Sequence, residues 1–204
     1  MSQSTASPNP AGTILTISGA CVDVLEPRAE DVKLEDVAAA LACICRFGGH
    51  VAPRFYSVAE HALLVAALVA LEHPDDDALI HAALHHDDAK AYLGELATPV
   101  AEHAGQDRLA LVAQHNAAIA EAFGFDVALL EHPAIAKANA QANDLEAAHL
   151  CPHPASDWAR PGGLTPQPPA GVPWVGGLDP EQARMAWLAR ANELPSLVGY
   201  GRHW

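Results

Sequence analysis

The chain has 204 residues, half of them hydrophobic and 18% charged, which fits one domain with a sizeable core and excludes wholesale disorder. Acidic residues outnumber basic ones 25 to 11, for a net charge of −14. That field argues against nucleic-acid polymers as partners, since binding a duplex requires basic side chains to displace condensed counterions, whereas one local Arg or Lys suffices for a small phosphorylated ligand.

In chain order, residues 1–12 are small, polar and Pro-containing, which predicts a frayed N-terminus. They lack a basic region followed by an apolar core, so no signal peptide is read there. GTILTISGACVDVL (12–25) alternates weakly and predicts a short strand pair. LEDVAAALACICRF (34–47) has apolar residues at helical spacing, acidic residues near its start, and Gly48-Gly49 as a stop. SVAEHALLVAALVALE (57–72) opens with Ser57 and Glu60 in capping-box register. DDALIHAALHHDDAKAYL reads as one further helix, begun by Asp75 to Asp77 and closed by Gly94. Two more helices are predicted over about 107–123, up to Gly124, and over 135–150 after Pro133. Eight of the 16 prolines fall between 152 and 180 and rule out regular structure there. A last helix is predicted over 178–194, with Asp179-Pro180 as cap and first turn.

Alanine-rich composition and these patterns predict an all-α bundle of about six helices, with a short extended N-terminal segment and a Pro-rich C-terminal excursion. The main domain is assigned to 13–151. Residues 152–204 are expected to pack on it, with Trp158, Trp174, Trp187 and Trp204 anchoring the tail. Cys21, Cys43, Cys45 and Cys151 form no CxxC and read as reduced thiols. No apolar run reaches membrane length. A soluble, cytoplasmic protein without a membrane partner is the expectation.

Twelve histidines stand out. His81 and His85 are four apart and could pinch a metal, but polar residues on a half-exposed face are the plainer reading. His103, His115, His132, His149 and His203 show no acidic residue or second His at a metal-binding spacing in the sequence, and surface or core positions are the plainer reading. His86 followed by Asp87 is different: within a helix they lie about 100° apart around the axis and can share one ion above the ridge between them. Further ligands must come from other helices. His61 is the natural donor, because Leu64 and Leu68 share its side of an apolar helix.

RFGGHVAPRFYSVAEHALLVA, HDDAKAYLGELATP and IAKANAQANDLEAAHL, in that order, resemble the successive motifs of bacterial and phage HD-domain phosphohydrolases related to 5′-deoxynucleotidases. VDVLEPRAEDVKLEDVAAALACICRF resembles the lead-in of that family, and the resemblance spans roughly 18–151. It implies a helical fold holding one divalent ion and hydrolysis of a nucleotide phosphate ester. Carried onto this chain, it makes His61, His86 and Asp87 metal ligands and Arg46 the phosphate-binding arginine. An arginine suits that task because its planar fork takes phosphate oxygens in pairs. The ion can be Mn, Co, Zn, Fe or, less well, Mg. The substrate is a small-molecule nucleotide, and proteins of this kind are commonly dimers.

The chain departs from the family pattern at three places. Asn139 stands where the fourth ligand, an Asp, is usual; Asp144 is the substitute, about 140° further round the helix. Lys90 stands where a Glu usually orients or deprotonates the attacking water; Asp88 is about 200° away from that direction. Lys90 lacks an acceptor and is read as a second phosphate contact. Glu95 replaces an Asp in the segment that contacts the sugar. Arg46, Asp87 and Lys90 are therefore the catalytic candidates, and Arg46, Lys90 and Glu95 the substrate-binding ones. His61, His86, Asp87 and Asn139 are the metal-ligand set. Two functions stay open: an active phosphohydrolase, and a catalytically degenerate relative that binds nucleotide or metal without turnover. A di-iron oxygenase using His81 or His85 is the third.

Overall fold

The computed structural model describes residues 12–51, 55–96, 100, 103, 105–151, 168–170, 172 and 176–194. The molecule is an all-α bundle, with one small antiparallel hairpin among the described residues. Strands β1 (Thr13–Leu15) and β2 (Cys21–Asp23) pair with Ile14 opposite Val22. The helices are α1 (Leu34–Cys43), α2 (Val58–Glu72), α3 (Asp77–Leu84), α4 (Lys90–Leu93), α5 (Gly105–Phe123), α6 (Pro133–Leu150) and α7 (Pro180–Glu193).

Helix α2 is the centre of the bundle. From Val58 to Val69 nearly every residue is buried, with Leu63 and Ala67 only partly covered. An apolar surface all round the axis demands neighbours on all sides, and α1, α3, α6 and α7 supply them. The capping box forms as the sequence predicts: the Ser57 hydroxyl accepts from Glu60 N–H at 3.1 Å, and Glu60 accepts from Ser57 N–H at 2.9 Å. Glu60 also accepts from Leu178 N–H at 3.1 Å, tying the approach to α7 onto the start of α2. Replacing Ser57 with Ala should therefore lower stability by about 1–2 kcal/mol, read as a shift of the urea midpoint with unchanged slope.

Helix α7 packs against α1 and α2, with Trp187 fully buried and an Asp179–Gln182 capping box at its start. Most of 152–175, including Trp158 and Trp174, lies outside the described residues, as do His203 and Trp204.

Three boundaries differ from the sequence reading. Helix α1 stops at Cys43 instead of continuing to 47, because the chain leaves it to pair with the segment before α2. Val58 N–H donates to Ile44 O at 3.0 Å and Arg46 N–H to Tyr56 O at 2.9 Å. The chain then turns through Phe47 and Gly48 with φ of 55° and 60°. Phe47 is the only non-glycine with positive φ among the described residues, so the turn carries local strain beside Arg46. Helix α6 takes Pro133 into its first turn, where a missing N–H costs nothing, and His132 caps it.

The third difference matters most. The single helix predicted from Asp75 to Gly94 is two helices joined by a turn at 85–89. The Ala83 carbonyl, which a continuous helix would offer to Asp87 N–H, accepts from the His86 imidazole at 2.8 Å. Tighter bonds follow, from Asp88 N–H to His85 O (3.2 Å), Lys90 N–H to Asp87 O (3.0 Å) and Ala91 N–H to Asp88 O (2.9 Å). Side chains thus compete for the ladder and redirect it.

Candidate metal centre

His61, one turn into α2, is fully buried and reaches Glu146 on α6 with Nδ1, at 2.6 Å from Oε1. His86 reaches the Ala83 carbonyl with its Nδ1. In both rings an acceptor at Nδ1 puts the proton on that nitrogen and leaves the lone pair on Nε2. Both Nε2 atoms are buried and have no hydrogen-bond partner. They lie 3.6 Å and 3.5 Å from one oxygen, Asp87 Oδ2. Ligand atoms of the three residues all fall within 4.8 Å of one another, the one such group among the described residues. Two orphaned imidazole lone pairs and a carboxylate oxygen around a common point are what a divalent ion requires of a protein. The residues present fit it.

His86 and Asp87 meet by a route other than the expected one. They do not flank a helical ridge, because they sit in the 85–89 turn, which aims both side chains at the same place. The expected partnership of His61 with this pair is present, with the His61 and His86 ring centroids 5.2 Å apart.

The charges around the cluster favour the ionised carboxylate. Burial alone would push Asp87 towards its neutral form. The charges of His86, Lys90, His61 and Arg46 outweigh burial and hold it well below the usual carboxylate range. Burial, helped by His61 and Lys90, outweighs the upward pull of Asp87 and leaves His86 at about 4, so its ring is neutral near pH 7 and free to act as a ligand.

Arg46 stands beside this group with its side chain only 8% exposed. Its guanidinium donates to Glu146 (Nη2 to Oε2, 3.0 Å), to Glu95 (Nη1 to Oε1, 3.3 Å) and to the side-chain oxygen of Asn143. Nη1 lies 4.0 Å from Asp87 Oδ2. Burial opposes its charge, but Glu146, Asp87 and Glu95 more than compensate and raise its pKa. Glu146 is fully buried and also accepts from Tyr56 OH at 3.1 Å, so one carboxylate orients His61, Arg46 and Tyr56 together.

Lys90 bridges two acids, with Nζ 2.8 Å from Asp87 Oδ2 and 2.7 Å from Glu95 Oε2. Glu95 therefore lies between Arg46 and Lys90. Asn139 joins more remotely: its Oδ1 accepts from Asn143 Nδ2 at 3.2 Å, and Asn143 in turn contacts Arg46. Asp144 is not part of the three-residue ligand group.

Sequence reasoning gave no role to Glu146, Asn143 and Tyr56. A signal for two of them was present. Asn139, Asn143 and Glu146 follow one another at spacings of four and three, a polar stripe on an otherwise Ala- and Leu-rich helix.

His81 and His85 form a separate buried box. His85 Nδ1 lies 2.5 Å from Asp88 Oδ2, and its ring packs against Phe123, Phe125 and Trp187 at centroid distances of 5.0, 5.5 and 5.1 Å. The His81 and His85 centroids are 4.7 Å apart. These side chains are core rather than half-exposed. Burial, then His85, pushes His81 down to about 4 from its ordinary 6.5. A histidine with a depressed folded pKa contributes fully above the unfolded value and loses that contribution as pH falls towards the folded one. Metal-free protein should therefore lose stability between about pH 6.5 and about pH 4, and His81→Gln should flatten that limb. Chemical denaturation at several pH values measures both slopes. Elsewhere, His115 contacts Val24 O at 3.0 Å and stacks on Tyr92.

Among the described residues no helix is long and apolar enough to cross a membrane. The chain is 36% identical over 136 residues to the uncharacterized protein RCAP_rcc00048 of Rhodobacter capsulatus, covering 66% of this chain and 68% of that one. It is 39% identical over 71 residues to the uncharacterized protein YfdR of Escherichia coli K12, spanning 35% of this chain and 36% of YfdR. No protein-family model matches the sequence.

Proposed function

The chain belongs to the same family as RCAP_rcc00048 of Rhodobacter capsulatus, and since the chemistry must be read from the site itself, we propose that it is a metal-dependent phosphohydrolase of the HD-domain type, cleaving a phosphate ester of a (deoxy)nucleotide. The observation that carries this reading is the convergence of two buried, unpartnered Nε2 atoms on Asp87 Oδ2. His61, His86 and Asp87 would hold one divalent ion (Mn, Co, Zn, Fe or Mg), with Asn139 the further ligand that the family resemblance suggests. Such an ion supplies a nucleophile from water near neutral pH and offsets charge on phosphate.

The remaining work falls to the chain. Glu146 and the Ala83 carbonyl fix the two imidazoles in the tautomer that leaves Nε2 free. Arg46, held by Glu146, Asn143 and Glu95, presents Nη1 beside Asp87, where a phosphate oxygen could be gripped. Lys90 brings a second positive charge to the same edge. Glu95 keeps these two cations apart and positions both.

The test is release of inorganic phosphate from a panel of deoxynucleoside mono- and triphosphates by metal-stripped protein, with each metal added back in turn. Turnover that appears only with metal supports the reading; a folded protein inert with Mn, Co, Zn and Fe opposes it. A second reading draws on one observation: Lys90, not a carboxylate, stands beside Asp87 where a general base would act. On that reading the protein binds nucleotide without hydrolysing it. Thermal stabilisation by nucleotide with no turnover would favour it, because a ligand selective for the native state raises its melting temperature.

A further inference from the structure

A phosphate contact does not account for the bond that Lys90 makes to a metal-ligand candidate. Its Nζ donates a hydrogen bond to Asp87 Oδ2 at 2.8 Å. That same oxygen faces His61 Nε2 at 3.6 Å and His86 Nε2 at 3.5 Å. An ion shared by the three residues has to use the carboxylate at this point, so ammonium and ion compete for one acceptor. Lys90 also stands on the solvent side: its side chain is 23% exposed, against 14% for Asp87, 6% for His86 and 1% for His61.

Glu95 already shares the ammonium. Its buried Oε2 lies 2.7 Å from Lys90 Nζ, which also donates to Asp87 Oδ2 at 2.8 Å. A small rotation about the end of the side chain would release Asp87 and keep the ammonium on Glu95, leaving no charge unpaired. The tether is short, since Lys90 N–H donates to Asp87 O at 3.0 Å and the two residues share one face of the turn.

We propose that Lys90 is a built-in counter-cation that bridges Asp87 Oδ2 and Glu95 in the metal-free protein and gives up Asp87, keeping Glu95, when a divalent ion binds, so that it sets the metal affinity of the site. The proposal rests on the metal-centre reading above. It makes Lys90 a positioning residue: it neutralises the cluster when no ion is bound and weakens binding by repulsion when one is. Two positive charges a few ångströms apart at a partly exposed site repel by an amount worth about ten- to a hundredfold in binding constant.

The experiment is calorimetric titration of Mn(II) into metal-stripped, full-length wild type, Lys90→Gln and Lys90→Arg. Lys90→Gln should bind about ten- to a hundredfold more tightly than wild type, whereas Lys90→Arg, which keeps the charge, should stay near wild type. Metal-free Lys90→Gln should melt below wild type and gain more on adding Mn(II). Adding His86→Ala to Lys90→Gln should remove the gain, locating the ion among the imidazoles. If Lys90→Gln does not fold, Lys90→Met serves for the same comparison. Wild type that binds Mn(II) as tightly as Lys90→Gln, or more tightly, overturns the proposal and leaves the metal centre standing. Failure of every folded variant to bind removes the metal centre and the proposal with it. Binding by Lys90→Gln but not by wild type upholds the competition and overturns metal-dependent catalysis by the natural chain.

Discussion

Asp87→Asn is expected to abolish metal-dependent phosphate release and to weaken Mn(II) binding by at least about a hundredfold, while the chain stays folded. Asp87 is the only anionic member of the three-residue group, and its Oδ2 is the point on which both orphaned imidazole nitrogens converge. An amide there keeps the shape and loses the charge, so a hard divalent ion is left with two neutral nitrogens. Folding should survive because Lys90 keeps Glu95 as partner at 2.7 Å and because Asp87 is itself partly exposed. Phosphate release and calorimetry on the same preparation check both halves. Undiminished turnover in Asp87→Asn would move the chemistry elsewhere in the molecule.

Arg46→Ala should produce the largest loss of stability of any single change at the site, about 3–5 kcal/mol, because it strands buried carboxylates without their cation. Glu146 is fully buried, and Arg46 donates to it from both Nε and Nη2, at 3.3 Å and 3.0 Å. Glu95 would lose its 3.3 Å partner too. Arg46→Lys should recover only part of the loss, since an ammonium cannot reach Glu146, Asn143 and Glu95 together as the planar fork does. The urea midpoints of the three proteins measure this. A cost below about 1 kcal/mol for Arg46→Ala would mean that the buried network is far weaker than its geometry indicates.

Much of the architecture was legible because it rests on local signals. Ser57 and Glu60 announce the start of α2, and the unbroken apolar surface of that helix places it, and His61 with it, in the centre of the bundle. Asp179-Pro180 likewise announces α7. What local periodicity could not show is competition between side chains and backbone. HHDDAK has helical propensity and reads as helix, yet the His86 imidazole takes the Ala83 carbonyl and the chain turns. The same limit hides the pairing of 44–46 with 56–58, which depends on residues ten or more apart in sequence and which aims Arg46 inward.

At the site, the meeting of His61, His86 and Asp87 was visible in residue types and in the family resemblance. Glu146 received no role because a lone acid in a helix ordinarily faces solvent, and only the tertiary contact with His61 and Arg46 explains its burial. Lys90 was visible as a departure from the family pattern. Its bridging of Asp87 and Glu95 became visible only when the turn brought all three together. The departure at Asn139 has a structural counterpart in its bond to Asn143, which extends the Arg46 network along α6.

Metal-edge X-ray absorption of the full-length chain reconstituted with Co(II), alongside metal analysis, tests the shared cation directly. One cobalt per chain, with scattering from two imidazoles that falls to one in His61→Ala and in His86→Ala, is the result expected. A folded protein that retains no cobalt, or cobalt whose imidazole scattering is indifferent to both substitutions, would contradict it.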